Sequence, residues 1–335
     1  MSSSPLFPVL QKPSLVGIAR LAAESETLRE GHNVEYFTLP ARSLLNRCTG
    51  VRVPFTWTIN PYRGCEFACK YCYARYTHEF MEMRDGAEFE QKIYVKQHAG
   101  ELLRQELRRV KPGESIALGT ATDPYQPAER RYEVTRGILE EFVRHRGFEL
   151  GIVTKSNLIV RDLELLREIA RNNVLSIHIT ITTLNVELAR ILEPRAPRPD
   201  LRMAAVREIG EAGINVGVSC SPVLPGITDS PADLEALVRE AATAGARHIF
   251  ANPLFLKPCS AAVFLPFLEQ QFPQLVEGYR QRYQDRAFLP ASYSKRITQL
   301  FSRLRQKYGI KRADPRQEKP VDKCVRGLEE QLALF

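Results

Sequence analysis

No stretch of this chain approaches the roughly 20 consecutive apolar residues that a membrane-spanning helix needs, although 44% of its 335 residues are hydrophobic. It does not open on the charged, apolar and cleavage regions of a secretory leader. The expectation from both absences is a cytoplasmic protein with no membrane contact. Its seven cysteines are an odd number, and a chain of this length has core enough not to need staples, so a disulfide framework is not expected. No internal repeat is visible. Acidic residues are scarce in one place only. Between residues 295 and 319, Lys295, Arg296, Arg303, Arg305, Lys307, Lys311, Arg312, Arg316 and Lys319 stand against Asp314 and Glu318 alone, so most of the formal charge of +8 lies there. A local basic patch is the footprint expected for a phosphate-backbone partner. A solvated helix face reads equally well.

What the chain does have is three cysteines in one short run. Asn60-Pro61-Tyr62-Arg63-Gly64-Cys65-Glu66-Phe67-Ala68-Cys69-Lys70-Tyr71-Cys72-Tyr73-Ala74-Arg75 holds a C-x3-C-x2-C spacing. Iron–sulfur clusters are held by Cys thiolates, four to a cubane. Three close thiols without a fourth leave one iron open, and an open position lets a metal centre do chemistry. A structural zinc site needs a fourth Cys or His at short range. The nearest candidate, His78, reads as an ordinary surface or packing histidine.

From Thr56 onward, short apolar runs alternate with amphipathic stretches. The strand candidates are Thr56–Asn60, Ser115–Gly119, Phe148–Thr154, Leu175–Thr182, Asn215–Ser219 and His248–Asn252. Helical stretches lie between them at Gln97–Val110, Val134–Arg146, Asp162–Arg171, Leu201–Ala212 and Asp233–Ala244, the last two stopped by Gly213 and Gly245. Such alternation means βαβ units and a parallel sheet. The three cysteines follow the first strand, and in parallel barrels the reactive groups sit at the carboxyl ends of strands. Ahead of this body, Arg20–Arg47 shows no clear period and reads as an extension packed on it. After Asn252 the alternation stops. Residues 260–308 read as helices, the last with Ile297, Leu300, Phe301, Leu304 and Tyr308 on one face and the basic residues on the other.

Other candidate groups stand at strand ends. The second strand ends in Gly119-Thr120-Ala121-Thr122-Asp123-Pro124-Tyr125-Gln126-Pro127. Hydroxyls and a carboxylate there could hold a cationic amine, or simply make a turn. Lys155 follows the third strand, and the fourth carries Thr180 and Thr182. Glu193 and Arg195 follow the next helix and could bracket a ligand or form a plain surface pair. The fifth strand ends in Ser219-Cys220-Ser221-Pro222-Val223-Leu224-Pro225-Gly226.

The cysteine spacing, with aromatic Tyr71 before the third thiol, resembles the signature of radical S-adenosylmethionine (SAM) enzymes. Together with the Gly119–Pro127, Thr154-Lys155-Ser156, Glu193-Pro194-Arg195 and Pro222–Gly226 runs, it is most similar to the spore photoproduct lyase-like branch, often labelled DNA-repair-photolyase-like. The likeness spans about Asn46 to Asn252. It implies an α/β fold, a partial (β/α)6 TIM-type barrel, over residues 51–255. Residues 1–50 would be an N-terminal extension, 256–312 a basic helical extension and 313–335 a tail. It implies a 4Fe-4S cluster on Cys65, Cys69 and Cys72. The cluster cleaves SAM to methionine and a 5′-deoxyadenosyl radical, which takes a hydrogen atom from the substrate. By position, Thr122 and Asp123 would touch the SAM amine, Lys155 its carboxylate and Thr180 the ribose, with Tyr71, Glu193 and Arg195 also in the cofactor site. One departure stands out. Spore photoproduct lyases carry a hydrogen-donating Cys just before a Ser-Asp pair on the second strand, and Ala121 stands there in this chain. Cys220 and Tyr125 are the substitute donors, although Cys220 also reads as an inert core residue. Cys48, Cys259 and Cys324 stand alone and read as structural.

The chain ends Gln331-Leu332-Ala333-Leu334-Phe335. This Q-L-x-L-F run is similar to the short motif by which bacterial repair and replication proteins dock on the DNA sliding clamp. Gln331, Leu332, Leu334 and Phe335 would be the anchors. The other reading is a terminal helix packing its Leu and Phe on the domain. The expectation is therefore a radical SAM enzyme, of lyase or related type, acting on nucleic acid and reduced by a donor such as flavodoxin or ferredoxin. Its rivals are an enzyme acting on a peptide, tRNA or metabolite, and a non-catalytic iron–sulfur nucleic-acid-binding protein.

Overall fold

The computed structural model describes residues 15–31, 33–49 and 53–310. In chain order its strands are β1 Thr27–Gly31, β2 Val34–Leu39, β3 Leu45–Arg47, β4 Trp57–Ile59, β5 Tyr62–Arg63, β6 Lys92–Lys96, β7 Ser115–Leu118, β8 Glu149–Thr154, β9 Val174–Thr180, β10 Val216–Val223 and β11 His248–Pro253. The larger sheet runs β11-β10-β9-β8-β7-β4-β3. Every pair from β4 to β11 in it is parallel and joined in sequence order, and β3 closes the far edge antiparallel. Consecutive parallel neighbours with helices between them make the expected (β/α)6 partial barrel, and all six expected strands are present.

Alternation along the strands decides what the barrel shows to each side. Leu175, Ile177 and Ile179 of β9, and Val216, Val218 and Cys220 of β10, are buried in the main apolar core beneath the helices. Ser176, His178 and Thr180, and Gly217, Ser219 and Ser221, therefore point into the barrel, because successive strand residues face opposite ways. The helix Pro199–Glu211 covers the outer face with Met203, Ala205, Val206 and Ile209 buried, and Pro231–Thr243 with Leu234, Leu237, Val238 and Ala241.

A second sheet of order β1-β2-β6-β5 is built from two strands ahead of the barrel and two from the segment between β4 and β7. Its strands β1 and β2, and the helix Gly17–Ala23, give regular structure to a segment whose sequence shows no clear period, and β2 packs on the body through β6. The signal is weak in sequence because β2 pairs with β6, more than fifty residues on, and neither strand is long. The C-terminal helices are Pro258–Gln271, Val276–Tyr283 and Ala291–Tyr308. The last buries Ile297, Phe301 and Leu304 as its stripe predicts.

Its basic face is less open than the sequence implies. Arg305 is buried and donates to the Ile249 carbonyl, Arg296 pairs with Asp229 at 2.9 Å, and Lys307 pairs with Glu235 at 2.5 Å. These cations clamp the helix to the barrel rather than await a phosphate; Lys295 and Arg303 remain exposed. Lys311, Arg312, Arg316 and Lys319, with Cys324 and the Gln331–Phe335 motif, lie outside the described residues.

Candidate functional site

The cysteine loop leaves the carboxyl end of β4 and passes through β5. Gly64 has φ +82°, and a Cβ there would lie 2.6 Å from the Lys92 carbonyl oxygen. Only glycine allows this conformation and so close an approach to β6. Cys65 N then donates to the Phe89 carbonyl and Lys70 N to that of Leu192, both at 2.9 Å. Cys65 and Cys69 are buried and Cys72 is half-buried. Burial pushes all three thiols up, Cys69 to about 12, and the Cys65 thiol is raised further by Asp123, Cys69 and Cys72. Such thiols ionise only when a metal displaces their protons. Among the described residues no three His, Cys, Asp or Glu side chains converge on one ion. A cluster asks for something different, since its thiolates bind separate irons around a cage. Three neighbouring buried thiols on one fixed loop fit that donor set.

The loop after β7 is bolted to the cysteine loop. Thr122 Oγ1 and Gln126 Nε2 both donate to the Gly64 carbonyl, and Gln126 Oε1 accepts from Glu66 N at 3.0 Å. Gln126 is fully buried. Sequence reasoning passed over it, and only its place in the Gly119–Pro127 run marks it. Asp123 Oδ1 accepts from Tyr125 N at 2.9 Å and Thr154 Oγ1 at 2.6 Å, and Oδ2 from Lys155 N at 2.7 Å. Burial raises its pKa, while these bonds act against the rise. Both oxygens thus join the ends of β7 and β8.

Lys155 stands differently. Among the described residues its ammonium has no hydrogen bond or ion pair, and it lies 5.7 Å over the Tyr71 ring. Burial opposes its charge, but the Cys69 thiol and Glu193 carboxylate outweigh that, and its pKa is raised. It is a bare cation beside the thiols.

Glu193 and Arg195 are not partners. Arg195 is exposed and gives its backbone N–H to Phe67 O at 3.3 Å. Glu193 is buried with Arg202, their ion pair measuring 2.5 Å. It also accepts from the Tyr71 hydroxyl and from Thr182 Oγ1 at 3.2 Å. Burial alone would raise Glu193, but Arg202, Lys155 and Tyr71 hold it below the usual carboxylate range. Arg202 then ties the pair to β9 through the Thr180 carbonyl at 3.1 Å. It sits at residue 202 of a stripe completed by Ala205, Val206 and Ile209. An arginine on the apolar face of a helix is the signal that sequence reading missed.

Thr180 is buried on the inner face of the barrel. The two hydrogen-donor candidates are placed elsewhere. Cys220 is 0% exposed on the helix-facing side of β10, so its thiol points away from the barrel interior. Tyr125 is 1% exposed in the same core; burial, then Asp162 and Glu129, raise its phenol. Strand parity turns Cys220 toward the helices, and the Tyr125 hydroxyl is buried without a hydrogen-bond partner among the described residues. His78 is a buried packing histidine against Phe89 and Tyr94, and its Nε2 meets the Lys92 carbonyl at 3.2 Å.

A thiol loop at the mouth of a parallel partial barrel, backed by a bare lysine, defines a class, and comparison with known proteins agrees. The model of the Radical SAM superfamily matches residues 59–241. An uncharacterized protein of Mycobacterium tuberculosis is 35% identical over 300 residues, covering 89% of this chain and 88% of the relative. One from Methanocaldococcus jannaschii is 28% identical, covering 66% and 78%. The chain belongs to the radical SAM superfamily. Among solved structures, spore photoproduct lyase complexed with dinucleoside spore photoproduct has TM-score 0.63 and 16% identity, covering 82% of this chain and 79% of that one. A variant of it with bound AdoMet and the same dinucleoside has TM-score 0.61. The fold is shared. No helix among the described residues is long and apolar enough to cross a membrane.

Proposed function

We propose that this protein is a radical SAM enzyme of the spore photoproduct lyase-like kind, with a 4Fe-4S cluster on Cys65, Cys69 and Cys72 and a nucleic-acid substrate. The observation that carries the chemistry is the meeting of three buried thiols with the unpaired Lys155 ammonium at the carboxyl ends of β4 and β8. When bound there, the reduced cluster and SAM supply a 5′-deoxyadenosyl radical that abstracts hydrogen from the substrate.

The chain's own residues do the positioning. Lys155 neutralises the SAM carboxylate. Thr122 and Asp123 fix the height of the thiol loop against β7 and β8, and their remaining lone pairs face the amine. Thr180 meets the ribose. Glu193, held ionised by Arg202, orients Tyr71 behind the thiols. Arg195 is exposed beside the loop and serves its outer edge. Support for nucleic acid comes from the shared fold with a lyase bound to a dinucleoside lesion and from the rim of the mouth. There Tyr73 is 42% exposed, Phe255 stacks on Phe288 with centroids 4.5 Å apart, and Lys257 lies 3.7 Å over Tyr76. Aromatic faces with cations suit unstacked bases and their phosphates. With Ala121 in the loop after β7 and Cys220 turned outward, the returned hydrogen does not come from a thiol at either place. Docking on a sliding clamp through Gln331, Leu332, Leu334 and Phe335, and reduction by a flavodoxin or ferredoxin, complete the reading.

The test is 5′-deoxyadenosine formation by reduced, cluster-loaded protein, with and without ultraviolet-irradiated DNA. Formation that rises with irradiated DNA is the expected result. Formation indifferent to DNA and RNA would move the substrate to peptides or metabolites. None from a loaded sample would leave a binding protein.

A further inference from the structure

Buried charges in proteins are normally paired, because an isolated one costs several kcal/mol. One place beside the thiol loop holds two cations without a counter-ion among the described residues. Arg63 of β5 lies opposite Tyr94 of β6. Lys96 is two residues further along β6, so it shares a sheet face with Arg63 as its diagonal neighbour. Lys96 is 6% exposed. Arg63 Nε is buried and has no acceptor. Neither side chain has an ion pair among the described residues. The short helix Tyr76–Glu79 covers this face. Its His78 is 2% exposed, with Nδ1 unpartnered. Glu106, the carboxylate whose charge acts on Lys96, is already accepting from Leu44 N and Leu45 N at 2.9 and 2.8 Å.

We propose that Arg63 and Lys96, with Lys257 at the entrance above the Tyr76 ring, form a phosphate-binding site beside the cysteine loop. A phosphate between the two cations turns their repulsion into charge-assisted hydrogen bonds. Arg63 offers a fork that matches phosphate, and Lys96 a point charge. His78 Nδ1 and the Tyr76 hydroxyl complete the wall. Burial, then Arg63, push Lys96 down to about 7, with Glu106 opposing. The site lies two residues before Cys65, so a nucleic-acid phosphate held here sets where the chain crosses the barrel mouth. That last source rests on the nucleic-acid reading above; the phosphate chemistry does not.

The experiment uses full-length, cluster-loaded protein in phosphate-free buffer. Inorganic phosphate and a labelled single-stranded oligonucleotide are the probes, with Lys96→Met and Arg63→Gln as variants. Inorganic phosphate should raise the wild-type melting temperature in a saturable way and leave Lys96→Met unmoved. Without phosphate, Lys96→Met should melt no lower than wild type, since it removes an unpaired buried charge. If the bound phosphate belongs to nucleic acid, each variant should bind the oligonucleotide about 10-fold more weakly, with a salt slope lower by about one. A phosphate shift with unchanged oligonucleotide affinity assigns the site to a small free anion. A wild type indifferent to both probes, or variants that respond as wild type does, overturns the proposal. None of these readouts needs SAM cleavage, so they stand apart from failure of the catalytic reading.

Discussion

The ligand cysteines and Lys155 carry the sharpest expectations at the residue scale. Cys69→Ala should lose the brown chromophore and 5′-deoxyadenosine formation together, read by absorption and product assay. A variant with a full cluster would refute the ligand assignment. Lys155→Met removes a charge-assisted contact of about 1.5–3 kcal/mol. SAM should bind about 10- to 100-fold more weakly by calorimetry, with cluster content unchanged. Arg202→Met strands Glu193, a carboxylate buried with it. The cost should be about 3–5 kcal/mol in urea unfolding, and replacing both partners by apolar residues should recover much of it. Lys155 was legible in the sequence because it follows a strand whose end is easy to place. Arg202 was not, because its partner sits nine residues back across a turn, nearer in sequence to Arg195.

At the scale of the elements, three neighbouring strands place His178, Gly217 and His248 side by side inside the barrel, paired in register. The imidazoles lie 4.8 Å apart, and a Cβ on Gly217 would sit 2.2 Å from the His248 ring. Gly217→Ala should therefore destabilise by more than an exposed glycine would, as measured by chemical denaturation. Burial lowers His178 to about 3 and His248 to about 4. Both pKa values lie below the unfolded value of about 6.5, so below that pH the unfolded chain binds protons that the native chain refuses. Stability should be full above about pH 6.5 and fall as pH drops toward 4. A His178→Leu variant should show a shallower loss in urea midpoints between pH 7 and 5; an unchanged slope would remove these rings from the account. Neither histidine announced itself as paired, since a single strand shows only its own alternation and the neighbour arrives through a crossover.

The whole molecule is a partial barrel covered on its outer side by helices, with a second sheet beside its cysteine loop. The basic helix Ala291–Tyr308 acts as a strap. Arg305→Leu should lower stability by about 1–3 kcal/mol by leaving a buried carbonyl unsatisfied, more than Lys295→Ala, whose side chain is exposed. Removing residues 331–335 should leave SAM cleavage intact and abolish capture by the sliding clamp. Equal capture by both chains would take the motif out of the function.

Local pattern determined the strands and helices of the barrel, the position of the thiols after the first strand, and the superfamily. Each of these depends on spacing or periodicity within a few dozen residues, which a linear chain displays. Tertiary structure decided which cations are spent on carboxylates, which way Cys220 and Tyr125 turn, and which charges are left bare. Arg202 is consumed and Lys155 is free for reasons no spacing contains. A charge is silenced by whatever folds against it: Glu193 for Arg202, and Asp229 and Glu235 for Arg296 and Lys307, whose helix lies far along the chain from both.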